Sequence, residues 1–165
     1  MSKKNESPVT VRKGRQPVVI SETPVEAAHK TDVATILNQL EPSLRQTHSE
    51  TRKLLPITTG RGVRKFHNVL DNCQELIEQA WDAFIANLPE GDIPEVQDQE
   101  IMRFRVNLED ISSFCDYKTE TICPCCVDRD PDMVNVKVEL ATATFDFLLT
   151  TLKNQVERLN TVGLS

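Results

Sequence analysis

The chain is short of glycine, of aromatic residues and of long apolar runs. Five glycines in 165 residues argue against sandwiches and glycine-rich nucleotide folds, which need many tight turns. No stretch approaches the roughly eighteen consecutive apolar residues of a membrane span. The opening segment, MSKKNESPVTVRKGRQPVV, has no apolar core of signal-peptide length. These absences predict a protein with no membrane partner, cytoplasmic or carried within a virion, and not secreted. Paired CxxC motifs, HExxH and the ExxH pairs of di-iron bundles are missing as well, and so is a nucleophile elbow. The expectation is a non-enzymatic protein with no catalytic residues. It needs no cofactor, zinc at the cysteines below being the one exception.

What the chain does have is helical periodicity. Phe66, Leu70, Cys73, Ile77, Trp81, Phe84 and Leu88 repeat at steps of three and four. So do Val138, Ala141, Phe145, Leu148, Leu152, Val156 and Leu159. Each set keeps one apolar face over about six helical turns, the pattern of helices packed lengthwise on other helices. Ile101, Phe104, Leu108, Ile111 and Cys115 form a third stripe, and Val33, Leu37, Leu40 and Leu44, with Leu54 beyond, a fourth. Thr31 is a suitable N-cap for the first helix, and Pro42 predicts a kink or restart near Glu41. Pro56 to Gly62 reads as the first connection and PEGDIPE at 89–95 as the second. Helices are expected over about 63–88, 95–116 and 133–161. Residues 117–131 read as an irregular connection, and Val134, Val136 and Val138 alternate like a short strand. Short connections between long amphipathic helices predict an all-α, up-down-up-down four-helix bundle over residues 31–165. Residues 1–30 hold Pro8, Pro17 and Pro24 and no stripe, so they read as a disordered basic N-terminal arm.

Charge is segregated. The net charge is −6. Residues 1–30 hold six Lys/Arg against three Glu, and so carry +3, leaving −9 on the remainder. Residues 51–70 contain Arg52, Lys53, Arg61, Arg64 and Lys65 and no acid. Residues 71–100 contain nine acids and no base. A basic arm and a basic turn on an acidic body suit contact with nucleic acid or with a neighbouring subunit. The candidates for that contact are Arg12, Lys13 and Arg15 in the arm and the five cations of 51–70. TTGRGVRK at 58–65 adds two glycines at a helix start, where free amides welcome a phosphate, although the spacing is not that of a phosphate loop. The plainer alternatives are a solvated turn, or pairing with Asp128, Asp130 and Asp132 of the same chain.

The five cysteines are odd in number. Cys123, Cys125 and Cys126 lie in CPCC, and Cys115 stands eight residues earlier. Together these four offer thiolates for a tetrahedral zinc, or else a cluster of oxidation-labile thiols. Asp128, Asp130, Asp132 and Glu139 have the spacing of a calcium loop, but Met133 stands where its sharp turn needs glycine. The segment reads better as an acidic helix start. His67, beside Phe66, reads as a surface or boundary residue.

The function expected from this pattern is a structural or assembly subunit of a virion, phage particle or large complex. It would be a homo-oligomer or part of a larger assembly, with nucleic acid a candidate partner. The alternative is a regulatory or adaptor bundle that binds a partner helix or peptide.

Overall fold

The computed structural model describes residues 32–163, and among these every regular element is helical. The elements are α1 (Val33–Lys53), α2 (Gly60–Ala86), α3 (Glu95–Thr121), the single turn α4 (Cys126–Arg129) and α5 (Pro131–Thr161). The expectations for residues 1–30, with Arg12, Lys13 and Arg15, lie outside the described residues, as does the Thr31 cap. Asp32 stands at the N-cap position of α1.

The apolar stripes point inward. α2 buries Val63, Phe66, Leu70, Cys73, Ile77 and Phe84, with Trp81 and Leu88 half-buried against them. α3 buries Ile101, Phe104, Leu108, Ile111 and Cys115. On α5 the buried series is Val134, Val138, Ala141, Phe145, Leu149, Leu152, Val156 and Leu159. Leu149 therefore takes the place expected for Leu148, which is half-buried. Val134 and Val138 share the core face and Val136 is exposed, which is helical spacing rather than strand alternation. Each fully buried Phe or Leu contributes about 1.5–3 kcal/mol.

Several boundaries differ from expectation, α2 among them, which starts at Gly60 rather than near Val63. Pro42 lies inside an unbroken α1. Pro42 and Asn38, whose carbonyl loses its amide partner, are both exposed, so water can serve that carbonyl, while Leu40 and Leu44 hold the helix to the core. α3 continues to Thr121 instead of ending near 116. α5 starts at Pro131, because proline suits the first helical turn and the Asp130 carboxylate accepts from the Met133 amide at 3.1 Å.

α1 packs on α2 and α5, and α3 packs on the same two, while neither α1 with α3 nor α2 with α5 is in such contact. Side-chain pairs show the directions. Asn38 meets Asn160, Arg45 meets Asp146 and His48 meets Thr142, so α1 and α5 run in opposite directions. Gln97 to Val162 and Glu100 to Arg158 reverse α3 against α5. Gln74 to Ser112 and Trp81 to Phe104 do the same for α2 and α3.

Candidate functional site

The α1–α2 connection and the α3–α5 connection meet at one end of the helices, and specific contacts lock them together. The Asn135 amide donates to the Ile57 carbonyl at 2.7 Å and accepts from the Ile57 amide at 2.6 Å. Ile57 itself is buried, so its backbone depends on that one side chain. His67 Nε2 lies 2.6 Å from the Ile122 carbonyl, and since a carbonyl only accepts, Nε2 carries the proton. The two glycines of TTGRGVRK are needed for close approach. A Cβ at Gly60 would lie 3.2 Å from the Pro124 carbonyl oxygen, and one at Gly62 3.0 Å from Ile57 Cγ2. Thr59 caps α2, its hydroxyl accepting from the Gly62 amide at 3.2 Å, so the helix start already uses one of the amides suggested for a phosphate.

On this frame Arg52, Lys53, Arg61, Arg64 and Lys65 are all exposed. None of the five forms an ion pair among the described residues. Ion pairing with Asp128, Asp130 or Asp132 is therefore absent among them. The acidic block runs along α2 to the opposite end, with all its members but Glu100 exposed. Glu100 accepts from Gln155 at 2.7 Å and from Arg158 at 3.1 and 2.9 Å, with Arg103 at 3.6 Å. The hydrogen bonds from Arg158, then from Gln155, hold its carboxyl down to about 2.

The cysteines separate into two groups. Cys115 does not join CPCC, because the extended α3 carries it into the core against Cys73. The hydrogen bond from Cys115, with burial, pushes the Cys73 thiol up. Cys123, Cys125 and Cys126 lie together, Cys125 exposed and the other two half-buried, with their sulfurs within 4.8 Å of one another. The Cys123 and Cys125 sulfurs are 2.7 Å apart. That contact lowers the Cys123 pKa and raises that of Cys125, so Cys123 is the first of the two to lose its proton. Arg129 Nη2 stands 3.9 Å from Cys126 Sγ. Beside the thiols is a cavity of about 310 Å³ lined by Cys123, Cys126, Arg129, Asp130, Met133 and Lys137, among others. A cluster of this kind can hold a metal ion.

Other groups prominent in the sequence have structural work. His48 is buried, its Nε2 3.0 Å from the Thr142 carbonyl and its ring against Phe145. Asp128 lies in α4, and Asp132 and Glu139 lie in α5, so the acidic segment is a helix start and no calcium loop forms. Sequence reasoning missed Arg129 and Lys137 beside the thiols, and Asn135 as a clamp. It also missed the exposed apolar residues Met102, Val106 and Tyr117 on α3 and Leu140 and Phe147 on α5. The last two had a readable signal, since Met133, Val136, Leu140 and Phe147 keep helical spacing on a second face of α5. No described helix is long and apolar enough to cross a membrane.

Comparison of the chain with protein-family models, with curated proteins and with solved structures finds no match.

Proposed function

We propose that this protein is a non-enzymatic structural or assembly subunit, an up-down-up-down four-helix bundle that packs with copies of itself. Its basic end meets a neighbour or nucleic acid, in the cytoplasm or within a particle. The observation that carries this reading is the set of five exposed cations, Arg52, Lys53, Arg61, Arg64 and Lys65, that no described acid neutralises. Uncompensated charge of one sign attracts an anionic surface and speeds encounter with it. Arg12, Lys13 and Arg15 of the N-terminal segment would add to the same attraction. Exposed Phe147, at 68%, and Leu140, at 62%, supply apolar area for lateral packing between copies.

A groove of about 450 Å³ between α3 and α5, lined by Met102, Val106, Thr151 and Arg158 among others, favours a second reading. In it the protein is an adaptor whose groove takes a partner helix. Light scattering of the full chain, with and without added RNA or DNA, separates the two. The assembly reading expects a large regular particle, or one that grows when nucleic acid is added. A monomer or dimer indifferent to nucleic acid would replace it with the adaptor reading.

A further inference from the structure

We infer that Cys123, Cys125 and Cys126 form a three-thiolate site for a thiophilic divalent cation of the zinc class, with its fourth coordination position open to the cleft beside Arg129 and Lys137. The number and place of the sulfurs suit such an ion. Three ligand atoms lie within 4.8 Å of one another, while zinc–thiolate bonds of about 2.3 Å place tetrahedral sulfurs roughly 3.8 Å apart. The Cys123–Cys125 separation of 2.7 Å must therefore open by about an ångström. Both side chains sit on the segment before α4, where Cys125 is exposed and Cys123 half-exposed, so rotation about χ1 supplies that movement without disturbing the core.

Two of the three thiols, Cys123 and Cys125, are not part of the apolar core, and Cys126 packs only partly against it. Cys73 and Cys115 are buried and satisfy each other. Among the described residues the CPCC thiols bond only among themselves, apart from the 3.9 Å approach of Arg129 to Cys126. Charge fits as well. Three thiolates and a divalent ion leave one negative charge, and the cavity wall carries two cations, Arg129 and Lys137, against one acid, Asp130. Each thiol surrenders its proton to solvent as its sulfur–metal bond forms, so binding weakens as pH falls. Cys123 and Cys126 line a cavity of about 310 Å³, which offers the fourth position room for water or a small ligand.

The test uses the full chain, reduced, freed of metal and titrated anaerobically with Co2+ and then Zn2+. One equivalent of Co2+ should bind with an intense thiolate-to-cobalt absorption band, and Zn2+ should displace it. X-ray absorption of the zinc form should show three sulfurs and one lighter atom. The C123S/C125S/C126S variant, changed only at surface or half-buried positions, should keep its helical signal and lose the band. The R129Q/K137Q variant should bind zinc roughly two- to tenfold more weakly. Failure of reduced wild-type chain to bind Co2+ would overturn the site. Four sulfurs around zinc would overturn its open position. An unchanged affinity in R129Q/K137Q would remove the role given to the two cations. None of these outcomes depends on whether the protein assembles.

Discussion

The two ends of the helices are held in different ways. Where α2 hands over to α3, large rings close the core. Trp81, Phe84 and Phe104 contact one another with centroids 5.1–6.1 Å apart, and Arg105 covers the outer face of Trp81 at 4.7 Å. The Glu100–Arg158–Gln155 cluster satisfies the buried charge nearby. At the other end, where α1 gives way to α2 and α3 to α5, single polar side chains hold backbone groups, and cations and thiols are left on the surface. The first end closes on aromatic rings and carries exposed acids outside them. The second keeps chemically active groups free and positions them with a few directional bonds. A fold can be permanent at one end and available at the other because burial is easily repeated along a helix, whereas reactive groups must stay in water.

That contrast can be broken in a graded way. Phe104→Ala should cause the greatest loss of stability, about 3–5 kcal/mol, because it empties the centre of the aromatic end; chemical denaturation measures it. Asn135→Ala should cost about 1–3 kcal/mol by leaving the buried Ile57 amide and carbonyl unpaired. Its distinctive readout is local, as hydrogen exchange at Ile57 should accelerate more than at Phe104. Equal acceleration at both residues would show that the ends are one cooperative unit. Glu100 gives a third, pH-dependent test. Its carboxyl lies at about 2 in the folded chain against an ordinary 4.5. The unfolded chain takes the proton first, so this contribution is complete above about pH 4.5 and fades as pH falls towards about 2. Glu100→Gln should lower stability at neutral pH and flatten the fall in stability between those values. An unchanged acid limb would mean that the Arg158 pair does little.

Much of the sturdy end is legible in the sequence because apolar residues at steps of three and four share one side of a helix but scatter over both faces of a strand. The α2 and α3 stripes can be read residue by residue. On α5 the sequence favours Leu148 over Leu149 only because adjacent leucines leave the phase of the helix open. Cys115 fits both an inward stripe and a four-cysteine metal set. Its place as the residue one turn after Ile111 decides for the stripe. At the other end the meaning of each residue lies in partners far away in sequence. Gly60 and Gly62 resemble an anion-binding turn until Pro124 and Ile57 are seen against them. Asn135 and Lys137 carry no local signal, since one clamps a segment 78 residues earlier and the other only shares a cavity wall with Cys123 and Cys126. The cations of 51–70 are legible as a block, but their lack of described ion-pair partners is not, because a sequence does not show which acids come near.

The smallest expected effect on stability belongs to the change that bears most directly on function. Replacing Arg61, Arg64 and Lys65 together by Gln should shift stability by no more than about 0.5 kcal/mol per site, as for exposed positions with no ion-pair partner among the described residues. If the basic end meets nucleic acid, the slope of log affinity against log salt should fall by up to about three units on duplex, or about two on a single strand. If it meets the acidic face of a neighbouring copy, self-association should be lost without nucleic acid present. The decisive measurement is salt-dependent binding and light scattering of this triple variant beside the wild-type chain. Loss of assembly or of salt-sensitive binding, with the melting curve intact, is the result expected; a variant that assembles and binds like the wild type would contradict the functional role given to the basic end.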